Sequence, residues 1–158
     1  MPEQHQPERT TEQEFHATSS THEVSSEHKK QHAELIKTGL DGLFGQLSSY
    51  LSEQECARIR AAFAVADAAH LGQYRQTGEP YITHPIAVAT LCATWKLDSQ
   101  SIKAALLHDV LEDSGIDKIT LANQFGAPVA NLVDGLSKLD KLHFDSKEAQ
   151  QAESFRKM

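Results

Sequence analysis

Apolar positions recur at helical spacing along most of this chain, and nowhere do they alternate with the period of two that marks a half-buried strand. From Ser52 onward, Ile59, Phe63, Ala66 and His70 share a face until Gly72 stops the run. Ser52 with Glu55 three residues later has the form of a capping box. Pro85 suits the first turn of a second helix reaching about Trp95. A third helix, capped by Asp98 or Ser99, carries the buried-looking run Ile102-Lys103-Ala104-Ala105-Leu106-Leu107 and continues through an acidic cluster to about Asp113. Residues 120–125 give a short fourth helix closed by Gly126, and Pro128 opens a fifth with Val129, Leu132, Val133 and Leu136 on one face. A last helix begins near Ser146 and meets no stop signal before Met158, so the chain reads as truncated. The pattern predicts an all-α fold.

Residues 1–30 break this pattern. They are rich in Glu, Gln, Ser, Thr and His, with Phe15 and Val24 as the large apolar exceptions. Such a stretch cannot bury enough surface to offset its chain entropy, which predicts a disordered tail ahead of a domain over residues 31–158. Gly39, Gly42 and Gly45 follow a short helix-prone piece and precede no strand, so they predict a flexible turn rather than a phosphate loop.

Composition narrows the function. The 158 residues fit one domain, and the net charge of −7 argues against a sequence-independent grip on a nucleic-acid backbone. Cys56 and Cys92 lie far apart without a CxxC spacing, which indicates neither a disulfide framework nor a zinc ribbon. The start is polar, with no apolar signal core, and no run approaches the ~18 apolar residues of a membrane span. A soluble cytoplasmic protein without a direct nucleic-acid or membrane partner is expected.

The chemistry concentrates between residues 84 and 113. His84-Pro85 is followed by His108-Asp109-Val110-Leu111-Glu112-Asp113, an imidazole and three carboxylates immediately after core residues. If one helix continues to Asp113, the acids fall in its last turn, where the macrodipole disfavours negative charge. A divalent cation held by His84, His108 and Asp109 answers both problems, since it reverses the local electrostatics. His108 and Asp109 diverge by about 100° on a helix, so one ion reaches both only where another helix completes the shell, and His84 is placed to do so. The mixed imidazole and carboxylate set suits Mn, Fe, Zn or Mg-like ions. Glu112 and Asp113, one turn further on, are candidates to orient or deprotonate a water there. His70 continues the Ile59 and Phe63 face as a satisfied core histidine, and Tyr74 and Tyr81 read as packing residues.

Four segments together carry a resemblance. Ala69-His70-Leu71-Gly72-Gln73-Tyr74-Arg75, Gly78-Glu79-Pro80-Tyr81-Ile82-Thr83-His84-Pro85, Ala105 through Asp113, and Val133-Asp134-Gly135-Leu136-Ser137-Lys138-Leu139 stand in this order. The stretch from about residue 40 to 158 closely resembles the N-terminal hydrolase domain of the long RelA/SpoT family, its SpoT branch above all. The resemblance implies an HD-type helical bundle that removes the 3′-pyrophosphate from guanosine tetraphosphate or pentaphosphate, giving GDP or GTP and pyrophosphate. It implies manganese on His84, His108 and Asp109, with Glu112 and Asp113 activating water. It assigns Arg75, Gln76, Thr77 and Lys138 to the alarmone, Arg75 by stacking on the guanine base. Lys141 also lies where phosphate would need neutralising.

Two departures stand out. Gln76 replaces a lysine common in the family, and the family's fourth metal carboxylate, in an Ala-Asp-Arg-x-His-Asn motif, does not occur before Met158. The remainder of the parent enzyme, with its synthetase and regulatory domains, is absent from this sequence, and the isolated chain is expected to be weakly active or inactive. Two alternatives stay open: an HD phosphohydrolase of another nucleotide, and a regulatory module that binds nucleotide without catalysis.

Overall fold

A computed structural model describes residues 12–139, and these form helices with a single isolated antiparallel bridge, Tyr74 to Pro80. The order is α1 (Glu12–Leu47), α2 (Glu53–Ala69), α3 (Thr83–Thr94), α4 (Ser99–Leu107), α5 (Val110–Asp113) and α6 (Lys118–Phe125), followed by α7 over residues 127–139. The chain divides into two units, residues 1–35 and 36–158. In the first, the backbone is helical from Glu12 and the side chains of residues 26–31 are exposed, in keeping with the polar composition that predicted a tail unable to bury a core. Its Glu, Gln, Lys and Ala content favours a helix locally.

The second unit is built around α4. Every residue from Ile102 to Leu107 is buried, as expected of a helix that is apolar nearly all round. One side, with Ile102, Ala105 and Leu106, meets Leu43, Phe44 and Leu47 of α1 together with Ile59, Ala89 and Ala93. The other side, with Ala104 and Leu107, meets Ala62, Ala66, Ile82, Ile86, Leu121, Val129, Ala130 and Val133. Small residues on α2 and α3 let both helices approach α4 closely, and these are the partners α4 packs against most extensively.

Three expectations need correction. The glycines at 39, 42 and 45 lie inside α1, not in a turn. Each costs a helix about 1 kcal/mol relative to alanine, but fully burying Leu43 and Leu47 contributes ~1.5–3 kcal/mol apiece, so packing wins. Gly39 also permits contact, since a Cβ there would sit 3.1 Å from Ile86 Cγ2. On α7, the buried stripe is Val129, Ala130, Val133 and Ser137, whereas Leu132 and Leu136 are 44% and 40% exposed. Apolar spacing alone could not choose between these two adjacent stripes. Finally, the third expected helix is two: α4 stops at Leu107 and α5 begins at Val110. The helix expected near Ser146, and with it Lys141, lies outside the described residues.

Termini follow side-chain chemistry closely. Ser52 and Glu55 form the reciprocal capping box, and Asp98 and Asp117 cap α4 and α6. The Ser101 amide donates to Asp98 Oδ1 at 2.8 Å. That bond from the Ser101 backbone, joined by its side chain, holds Asp98 below its ordinary 3.8. Asp98→Ala is expected to lower unfolding free energy by about 1 kcal/mol at neutral pH. A carboxylate whose folded pKa is depressed stabilises fully above the unfolded value, near pH ~4, and loses that contribution as pH falls through the folded value. Denaturant melts of the two proteins should therefore converge in acid; a gap persisting at low pH would refute the capping account.

Candidate metal centre

The break between α4 and α5 is made by a side chain. His108 Nδ1 lies 2.6 Å from the Ala105 carbonyl oxygen, the acceptor that an uninterrupted helix would give to the amide of Asp109. A carbonyl only accepts, so Nδ1 carries the proton and Nε2 presents a lone pair when the ring is neutral. Asp109 then leaves regular helical geometry and becomes the residue that leads into α5. Its carboxylate accordingly stands at the junction of the two helices, just past the end of α4 and ahead of α5.

Three side chains converge at this break. His108 Nε2 is 2.9 Å and His84 Nε2 4.0 Å from Asp109 Oδ2. The rings of His84 and His108 meet edge to face with centroids 5.4 Å apart. One donor atom from each of the three residues lies within 4.8 Å of the others. His84 sits in the first turn of α3, so two separate segments supply the set.

The electrostatics ask for a cation. Asp109 Oδ2 already accepts from the Tyr81 hydroxyl at 2.6 Å. With His108 neutral, the Nε2 lone pair faces that same anionic oxygen at hydrogen-bond distance, an arrangement that repels unless a proton or a metal lies between them. Burial pushes the Asp109 carboxyl up, but when a proton lies between it and His108, the hydrogen bonds from His108 and Tyr81 and the charges of His108 and His84 outweigh that effect and hold the group below the usual carboxylate range. A deprotonated, half-screened carboxylate beside two imidazole nitrogens is the donor set of a divalent first-row ion. The residues present therefore fit a metal.

Other expected site residues fall into three groups. Glu112 is exposed on α5, and its Oε1 accepts from Ser137 Oγ of α7 at 2.9 Å. Asp113 closes α5, and its side chain lies outside the described residues. Arg75, Gln76 and Thr77 form the exposed tip of a loop closed by Arg75 and Gly78 amides donating to Glu79 and Arg75 carbonyls at 2.8 and 2.9 Å. Gly78 takes a φ of 92° there, a conformation side chains resist. Lys138 is exposed, and its Nζ pairs with Asp134 at 3.1 Å on the same helix.

Sequence reasoning missed two contributors. Tyr81 was expected to pack, yet its hydroxyl holds Asp109, and its amide donates to the Gln73 carbonyl at 2.9 Å, joining the Arg75 loop to the centre. Ser137 stands in the fourth segment of the resemblance but was given no role of its own, because a serine on a helix does not announce its partner. Tyr74, also expected to pack, is 60% exposed. His70 is buried as expected, with Nδ1 donating to Gln73 Oε1 at 3.0 Å and its ring 4.8 Å from that of Tyr81, but its Nε2 has no partner among the described residues. Only half of its hydrogen-bonding capacity is met.

The family model described as HD domain matches residues 62–158. The bifunctional (p)ppGpp synthase/hydrolase SpoT of Escherichia coli K12 is 53% identical over 112 residues, which is 71% of this chain and 16% of that protein. The guanosine-3′,5′-bis(diphosphate) 3′-pyrophosphohydrolase of Vibrio cholerae is 50% identical over 118 residues, 75% of this chain and 17% of its own. A GTP pyrophosphokinase of Streptomyces coelicolor is 48% identical over 101 residues, 64% of this chain and 12% of its own. The chain thus spans about a sixth or less of the length of these relatives. Among the described residues no helix is long and apolar enough to cross a membrane.

Removal of the Tyr81 hydroxyl isolates its effect on the donor set. Tyr81→Phe should keep the fold and weaken binding of manganese(II), followed by calorimetric titration, by ~10–100-fold. Unchanged affinity would show that the hydroxyl does not orient Asp109.

Proposed function

Given that the chain belongs to the HD domain family, we propose that it forms the metal-holding part of a hydrolase that removes the 3′-pyrophosphate from guanosine tetraphosphate or pentaphosphate. The observation that supports this reading is the convergence of His84, His108 and Asp109 donors within 4.8 Å, with His108 Nδ1 tied to a carbonyl so that Nε2 is the nitrogen turned toward Asp109. Manganese is the ion proposed. A divalent cation held there supplies Lewis acidity toward a phosphoryl oxygen and lowers the pKa of water.

The chain's own groups divide the remaining work. In the overall reaction, water adds to the phosphorus bonded to the ribose 3′ oxygen, the bond between them breaks, and the nucleoside 5′-diphosphate or triphosphate leaves with pyrophosphate as the second product. Glu112 is the proposed proton acceptor from that water, with Ser137 orienting its carboxylate through a 2.9 Å bond to Oε1. Asp113 is proposed to assist it. Arg75, at the loop tip, is proposed to stack on the guanine base, flanked by Gln76 and Thr77. A guanidinium plane covers a flat ring well. Lys138 is proposed to neutralise phosphate, for which it must release Asp134. A cytoplasmic setting, the remainder of a longer parent enzyme as partner, and no direct nucleic-acid or membrane contact belong to the same reading.

Activity should be measured on this chain and on a longer form in which it continues past Met158, with guanosine tetraphosphate and manganese. Pyrophosphate release is expected from the longer form and should disappear in His108→Ala. Arg75→Ala should raise KM by ~10-fold or more with little change in kcat, since it removes ground-state binding. A longer form that binds manganese yet releases no pyrophosphate would overturn the hydrolase reading.

A further inference from the structure

Lys103 is out of character with its surroundings. It stands within the buried run of α4 and is only 8% exposed, yet it belongs to neither core cluster. No carboxylate lies within 4.0 Å of its ammonium, and no hydrogen bond satisfies it among the described residues. Its stem is buried while the ammonium still reaches water, so the charge is carried out of the core to the surface of the space it lines. Lys103 precedes His108 by five residues, which turns it about 140° around the helix axis from the metal centre.

The side chain instead lines a cavity of about 300 Å³ between α2, α4 and α6, together with Arg58, Ala61, Gln124 and Phe125. Among the described residues, Arg58 has no ion pair and no Asp or Glu lines the space. In a chain of net charge −7, two cations thus face one void with no acid among the described residues to balance them. None of the lining residues belongs to the His84, His108 and Asp109 cluster.

We propose that this cavity is a second site, which binds a small organic phosphate monoester. Two cations suit a group carrying about −1.5 to −2 charges at neutral pH better than a single carboxylate. The guanidinium of Arg58 on α2 offers two parallel donors to phosphate oxygens, and Lys103 adds a point charge from α4. Gln124 supplies a neutral donor and acceptor for the body of the ligand, and the Phe125 ring supplies an apolar wall. A volume of about 300 Å³ is at the small end of ligand pockets, which suits a mononucleotide-sized molecule.

The test uses the whole chain in EDTA, which silences the metal centre, with adenosine 5′-monophosphate as the probe and adenosine as its uncharged counterpart, read by calorimetry and thermal melting. Saturable binding of the monophosphate is expected, weakened at least ~10-fold by Lys103→Met and by Arg58→Ala and unchanged in His108→Ala. The ligand should raise the melting temperature of the parent chain and not that of Lys103→Met. Arg58 is exposed, so Arg58→Ala decides the matter even if Lys103→Met fails to fold. Absence of saturable binding, equal binding of adenosine, equal binding by Arg58→Ala, or loss of binding in His108→Ala would each overturn the proposal. None of these outcomes bears on the hydrolase reading.

Discussion

One hydrogen bond sets the geometry of the metal centre, that from His108 Nδ1 to the Ala105 carbonyl. It fixes the tautomer of the ring, turns Nε2 toward Asp109 and interrupts the helix. The interruption costs little. A single helical hydrogen bond is worth ~0.5–1.5 kcal/mol net, while the buried leucines and isoleucine of α4 contribute ~1.5–3 kcal/mol each. Packing therefore holds α4 in place whether or not its last turn is regular, and the freed backbone can be shaped by the needs of the ligands.

Tyr81 extends this arrangement outward. Its hydroxyl steadies Asp109, its ring leans on buried His70, and its backbone closes the loop that presents Arg75. A single residue thus links the ion-binding carboxylate to the exposed loop proposed to meet the base. His84 follows three residues later, so the whole link is encoded in a short stretch of chain.

Much of this was legible in the sequence, for identifiable reasons. Capping residues announce themselves by type and spacing, which is why Ser52 with Glu55, and Asp98, marked their helices correctly. The all-α class followed from periodicity, and the HD family from four ordered motifs. Periodicity could not reveal that His108 would compete for a backbone carbonyl, because that depends on ring position. It likewise failed on α1, where three glycines suggest a turn and only the buried Leu43, Phe44 and Leu47 explain a helix. The stripe on α7 was ambiguous, since adjacent rows were both apolar. Contacts made by hydroxyl groups, those of Tyr81 and Ser137, leave no trace in spacing.

The bond between Ser137 and Glu112 has a mechanical implication. Its donor rides on α7, a helix that also shows Leu132, Leu136 and Leu139 to solvent. A displacement of one residue's rise, about 1.5 Å, taken along the bond would stretch it from 2.9 Å past hydrogen-bonding range. Glu112 is consequently tethered to a lever whose handle is greasy and uncovered, so small movements of that lever are transmitted to a carboxylate on α5.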